Sequence, residues 1–377
     1  MFKSLFKKKK RPSKDELRFF QKEEKRSLII HHYCPHTYNS GDHFVVLSIR
    51  KHLKERIPEA VFLPKPCANN RGWGKPVRLT GPNIDFSNEY ADAIVIGGSD
   101  QYNGWSLRLK EEELNELAPP FFLIGLGVSS KGLNAPPNIP KNEYLDDIKA
   151  ANELAALSSV RDFVTYDFLN SLGVDKQIMT GCPATFLFKE NFSYSDSGYA
   201  ALTFPFPVIR DSNQGAYNEL IGIINDLMKF LKSKGKEILL VCHDDRDLQP
   251  AQKLFPGERY FFSNYPQDYF EVYRHASYVI GTRLHATILA TGMGVPHINI
   301  NLDLRGKGFS ETFGMKDWNI DINDRHLKEK LHSRIELMEM GDVSLFNGLL
   351  SKREEYRAVF EKFMDNTATV IKERAKG

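Results

Sequence analysis

Cysteine is scarce in this chain of 377 residues, with four in all (Cys34, Cys67, Cys182 and Cys242), far apart and without paired spacing. That pattern fits a reducing compartment better than a disulfide framework. No apolar run approaches the roughly 20 residues needed to cross a bilayer, and there is no cleavable leader with an apolar stretch. No third glycine completes Gly125-Leu126-Gly127 to a dinucleotide fingerprint, so a nicotinamide or flavin site is weakly supported. The expected location is cytoplasmic.

Net positive charge is also small, at +3, and unevenly placed. Residues 1–26 carry eleven Lys/Arg against four Asp/Glu, and the rest of the chain carries 40 against 44. An acidic body excludes nucleic acid as the main ligand. The basic tail also holds Phe2, Leu5 and Phe6. It can lie on an anionic membrane surface, at about 1 kcal/mol per basic residue near the lipid. A disordered solubilising tail is the plainer reading. The expectation is a protein that is cytoplasmic or peripheral at the inner face of the plasma membrane.

The chain is long enough for two domains. Short apolar runs at 28–33, 60–63, 92–97, 121–127, 157–161 and 177–181 alternate with helical patterns, and a second such series occupies 199–204, 237–243, 259–262, 277–281 and 296–300. Continuously apolar strands between helices indicate parallel sheets covered on both faces. Helices are expected over about 42–57, 215–233 and 284–292, and after Asp162 up to Gly173. The polar segment 189–198 sets the boundary. The predicted organisation is a disordered basic tail (1–26), a first Rossmann-like domain (27–188) and a second (195–340). A charged amphipathic helix (about 345–377) packs back on the first. The fold class is α/β, two doubly wound domains facing a cleft.

In such sheets ligands bind beyond the carboxyl ends of the strands, so the strand ends carry the functional candidates. Asn39-Ser40-Gly41-Asp42 opens a helix, where Asn39 or Asp42 caps amides and an anion could meet them. Gly97-Gly98-Ser99-Asp100-Gln101-Tyr102-Asn103 lets a ligand approach the backbone. Gly127-Val128-Ser129-Ser130 and Ser159-Val160-Arg161-Asp162 follow two more strands. Asp162 can cap a helix there, while Arg161 points beyond the strand or to solvent. His243-Asp244-Asp245-Arg246-Asp247 could hold a metal, but strand-end loops are usually polar and Asp245 and Asp247 can be helix caps, which is the plainer reading. His31, His32, Cys34 and His36 match no tetrahedral zinc pattern. In Gly281-Thr282-Arg283-Leu284-His285-Ala286, Arg283 can grip a carboxylate or phosphate through two hydrogen bonds. His285 is the side chain nearby that titrates near neutral pH. The alternatives are a salt-bridging arginine and a histidine satisfied in packing.

In this order the segments 39–42, 97–103, 127–130, 159–162, Thr180-Gly181-Cys182-Pro183-Ala184 and 281–286, the last followed by Gly294-Val295-Pro296, resemble the polysaccharide pyruvyl transferase family. The resemblance covers about residues 28–310. Gly98 to Asn103 is similar to a branch with tryptophan where Tyr102 stands. It implies a glycosyltransferase B-like architecture. The reaction implied is transfer of the enolpyruvyl group of phosphoenolpyruvate (PEP) to two hydroxyls of a sugar, giving a cyclic pyruvate ketal and phosphate, in exopolysaccharide or capsule synthesis. The sugar acceptor would be lipid-linked, nucleotide-linked or polymeric. PEP serves as co-substrate, with no cofactor and no metal. Arg283 and Arg161 match donor positions and His285 the active-site histidine, as proton donor or phosphate ligand. Asn39, Gly41, Asp42, Gly98, Ser99, Asp100, Gln101, Gly127, Ser129, Asp162, His243, Asp244 and Thr282 are the candidate substrate contacts. The rival readings are a nucleotide-sugar glycosyltransferase of the same fold and a non-catalytic scaffold.

Overall fold

The computed structural model describes residues 27–35, 39–67, 79–98, 100–103, 110–132, 135–139, 143–190, 193, 198–206, 209 and 214–375. The basic tail therefore lies outside the described residues, as do His36 and Ser99.

The first sheet takes β1 (Leu28–Cys34), β2 (Ala60–Pro66), β3 (Ala93–Gly97), β4 (Phe121–Leu126), β5 (Leu157–Val160) and β6 (Ile178–Met179), in the spatial order β2-β1-β3-β4-β5-β6. All its pairings are parallel. The helices between are α1 (Ser40–Arg56), α2 (Pro82–Tyr90), α3 (Glu111–Asn115), α4 (Glu143–Leu154) and α5 (Phe163–Ser171). Strands β3 and β4 are buried at every position, which is why they read as unbroken apolar runs. Strand β2 continues past the apolar run through Pro64 to Pro66. Proline is tolerated there because β2 is an edge strand with no ladder on its outer side.

The second sheet takes β7 (Tyr199–Thr203), β8 (Glu237–Val241), β9 (Arg259–Phe261), β10 (Tyr278–Gly281), β11 (His297–Asn301) and β12 (Asn319–Asp321), ordered β12-β11-β10-β7-β8-β9 and parallel throughout. Its helices are α6 (Gln214–Ser233), α7 (Asp245–Leu254), α8 (Asp268–Arg274), α9 (Leu284–Met293), α10 (Leu304–Thr312) and α11 (Leu327–Glu339). The short β12, half polar, and α10, interrupted by Gly306 and Gly308, carry no periodic signal and were not expected.

Strand order reverses between β1 and β3 in the first sheet and between β7 and β10 in the second. These switch points are where crossover helices leave on opposite faces and open a crevice. One continuous apolar core runs from the α1 face of the first sheet into the second. It also includes the terminal helix α12 (Asn347–Arg374). Buried Arg353 on α12 donates to the carbonyls of Glu190 (2.6 Å), Thr291 (3.1 Å) and Gly292 (3.3 Å). Arg56 of α1 pairs with Glu361 and Asp365 of the same helix. Helix α12 thus holds the chain where it crosses between the sheets. No helix among the described residues is long and apolar enough to cross a membrane.

Candidate active site

The two switch points meet at one cavity. It is lined by Asn39 and Asp100 from the ends of β1 and β3, Arg161 from the end of β5, Pro205 beyond β7, and Thr282, Arg283, Leu284 and His285 beyond β10. Asn299, Ile300, Leu302, Asp303, Arg305 and Gly306, at and after the end of β11, complete the wall. Of the residues expected from sequence, Asn39, Asp100, Arg161, Thr282, Arg283 and His285 are therefore brought together, although more than 240 positions separate Asn39 from Thr282 in the chain.

Each guanidinium is held by a neighbouring carboxylate. Arg283 Nε donates to Asp247 Oδ2 (3.0 Å) and Nη2 to Oδ1 (2.6 Å). Arg161 Nε donates to Asp162 Oδ2 (3.2 Å), and its Nη2 to the Val128 carbonyl (3.2 Å). Arg305 is forked onto Asp303 in the same way, Nη2 to Oδ2 at 2.5 Å. Paired guanidiniums keep their planes fixed, which is the pre-organisation that anion recognition needs.

His285 stands among them. Its Nε2 lies 4.0 Å from Asp42 Oδ1. Burial, joined by Arg161, Arg305 and Arg283, outweighs the attraction of Asp42 and pulls the imidazole down to about 4. The ring is neutral at physiological pH in the protein without ligand. Gly41 lies flush against it: a Cβ there would stand 2.1 Å from His285 Nδ1. Gly127 does the same for Arg161, with a Cβ position 2.1 Å from Nε. Both glycines are required by the close approach of these side chains.

Several expected contacts have other partners in this structure. His243 is fully buried, its Nε2 2.5 Å from the Tyr273 hydroxyl, with Phe44 and Tyr269 edge-on to the ring, so it does not face the cavity. Asp244 caps α7 through the Arg246 amide (2.9 Å) and forks onto the Arg246 side chain. Asp162 caps α5 through the Thr165 amide (2.8 Å). In each case an orphan helix amide has claimed the carboxylate. Gln101 is buried and donates to the Gly98 carbonyl (2.7 Å), closing the turn that Gly98 opens at φ 97°. Ser129 is buried, with its carbonyl accepting from Asn138 (2.7 Å). Its neighbour Ser130 reaches the second sheet's α10 instead, accepting from the Leu304 amide (3.1 Å). Tyr102 is a core residue bonded to Asn152 (3.0 Å). Asn39 caps α1 through the Gly41 amide (3.0 Å) while also lining the cavity.

Two residues were missed. Asp247 reads in sequence as a cap or metal ligand and in the structure is the partner of Arg283. Arg305 lies beyond the last strand end that the apolar runs mark, within a helix that carries no periodic signal. Asp303-Leu304-Arg305 repeats the Asp-x-Arg spacing of Asp244-Asp245-Arg246, and that repetition was the available signal. Among the described residues no cluster of three or more His, Cys, Asp or Glu is placed to hold a metal ion. His31 is bonded to Ser87, and His32 accepts from Arg50.

Two parallel Rossmann-type sheets with switch points meeting at a shared cavity define the glycosyltransferase B-like fold. Solved structures agree. A variant of the wall teichoic acid polymerase TagF superposes with a TM-score of 0.52 at 12% identity, covering 93% of this chain and 90% of that one. A protein from Listeria monocytogenes described as a UDP-N-acetylglucosamine 2-epimerase gives 0.51 at 11%, covering 87% and 91%. At such identities the likeness is one of fold. By sequence, residues 39–303 match the polysaccharide pyruvyl transferase family, and the chain belongs to that family. No curated protein sequence matches it.

Proposed function

We propose that this enzyme transfers the enolpyruvyl group of PEP to two hydroxyls of a sugar in a polysaccharide or its lipid- or nucleotide-linked precursor. The products are a pyruvate ketal and inorganic phosphate. The observation that carries the reading is the cavity at the joined switch points, where three fixed guanidiniums surround one imidazole. PEP presents a phosphate of about −1.5 to −2 charge and a carboxylate, and both need cations. The remaining demand is a proton for the methylene carbon, so that C2 becomes electrophilic.

His285 is the group for that proton. Neutral in the free protein, it gains basicity when a phosphate arrives beside it, because opposite charge favours the imidazolium. Protonation of C3 forms the methyl group, the first sugar hydroxyl adds to C2, and the C2–O bond to phosphate breaks. The second hydroxyl then closes the ketal. Of the two hydroxyl protons lost, one replaces the proton given to C3 and the other leaves on phosphate. The arginines supply the positive charge for this sequence electrostatically.

The test is incubation with PEP and a panel of lipid-linked and nucleotide-linked sugars, following phosphate release and the mass of the sugar. Phosphate release with a ketal mass gain is expected. Sugar transfer that requires a UDP-sugar and ignores PEP would establish the glycosyltransferase reading instead.

A further inference from the structure

Arg305 lies two residues beyond the segment that matches the family, yet its guanidinium lines the same cavity as Arg161 and Arg283. Asp303 accepts from its Nε (3.1 and 3.0 Å), its Nη2 (2.5 Å) and its amide (2.9 Å). One edge of the guanidinium is fixed, and Nη1 has no hydrogen-bond partner among the described residues. Arg283 is held by the same edge on Asp247 and presents Nη1 in the same way.

Thr282 precedes Arg283 on this wall. It is 7% exposed, and its Oγ1 has no hydrogen-bond partner among the described residues. A buried hydroxyl without a partner calls for an explanation, and a ligand is one. The helix that starts just after it, α9, has no capping side chain. By contrast α1, α5, α7 and α10 are each capped by Asn or Asp. An uncapped start leaves amides for an anion.

We propose that Arg305, with Thr282 and the open start of α9, seats the phosphoryl group of the donor, leaving the donor's carboxylate to Arg161 from the first sheet. This rests on PEP being the donor and fixes how it lies. A phosphate has more charge and more acceptor oxygens than a carboxylate, and the wall with two guanidiniums, a hydroxyl and a helix start matches the larger demand. Helix α10 is also tied to the first sheet. The Leu304 amide donates to Ser130 Oγ (3.1 Å), Phe163 donates to Thr312 Oγ1 (3.1 Å), and Gly308 packs on Asp162. The distance between the phosphoryl seat and Arg161 is thereby set by packing.

The Asp-x-Arg fork alone does not make a site. Arg246 forms the same fork on Asp244, but its side chain is 68% exposed and lies outside the cavity. It is the natural control. The experiment titrates the full-length protein with PEP, and separately with inorganic phosphate, in wild type, Arg305→Gln, Thr282→Val and Arg246→Gln, with circular dichroism confirming each fold. Arg305→Gln and Thr282→Val are expected to weaken both ligands tenfold or more, and Arg246→Gln less than twofold. Wild-type affinity for both ligands in Arg305→Gln, or an equal loss in Arg246→Gln, would overturn the seat and leave PEP as donor. A wild type that binds phosphate with these same losses but not PEP overturns the donor and keeps the seat. A wild type that binds neither overturns both.

Discussion

Asp247 grips Arg283 through both carboxylate oxygens, and it is the more buried of the two, its side chain 2% exposed against 13%. The pair decides how the arginine can be tested. Removing the arginine alone strands a carboxylate whose burial already raises its pKa against the pull of Arg283. Breaking a buried pair from one side costs about 3–5 kcal/mol.

Arg283→Ala is therefore expected to lower the melting temperature strongly. Adding Asp247→Asn should restore most of the melting temperature without restoring any response to PEP. A thermal melt with and without PEP on the single and double variants checks this. If the double variant responds to PEP like wild type, Arg283 does not touch the donor.

The imidazole of His285 titrates at about 4 in the protein without ligand, and a bound anion raises that value. A group whose pKa rises on binding takes up a proton. PEP affinity should then be fully strengthened below the free-state value and decline as pH rises through the bound-state value. His285→Gln should flatten that part of the profile and lower kcat by about 10²–10⁴-fold. Titrations with PEP across pH, in wild type and variant, separate this from the ionisation of PEP itself. Identical slopes would remove His285 from the proton's path.

Gly41→Ala puts a methyl group where the His285 ring now lies. The expected result is a displaced imidazole and a loss of turnover on the order of 10²-fold, as small misplacements of catalytic groups cause. Far-UV circular dichroism should be unaltered. Gly127→Ala should act on Arg161 in the same manner and show in PEP affinity. Full activity in both variants would show that neither side chain needs its present position.

His297 is a separate matter of stability. It is fully buried, with Nδ1 2.7 Å from the Val295 carbonyl, and burial pulls it down to about 4. Its folded value lies below the unfolded one near 6.5, so the unfolded chain takes the proton first as pH falls. Stability is complete above about 6.5 and is lost progressively toward 4, by on the order of 3 kcal/mol for this group. Denaturant midpoints measured over that range should fall in wild type and fall less in His297→Gln. An equal fall in both would assign the acid sensitivity to other groups.

The inner strands of both sheets were legible because they are buried on both faces, and burial writes an apolar run into sequence, whereas the short, half-polar β12 carries no such run. The polar residues just beyond them, Arg161 and Arg283 above all, stood out against those runs. What sequence could not resolve was which polar residue at a strand end serves a helix and which serves a ligand. Asp162 and Asp244 cap helices, Asp100 lines the cavity and Asp303 does both, yet all four follow strands in the same way. That choice depends on which amides are left without partners, a property of the assembled structure. Arg305 was hidden for the same reason: its spacing from Asp303 reads as a cap, and only the packing of α10 against the first sheet brings it to the cavity.

The most direct test of the account is the fate of PEP carbon. With carbon-13 at C2 and C3 of PEP, a sugar acceptor and deuterated water, NMR of the purified sugar should show a quaternary ketal carbon bonded to a methyl carrying deuterium. A sugar that gains no labelled carbon, while the enzyme transfers a glycosyl group from a nucleotide sugar, would contradict it.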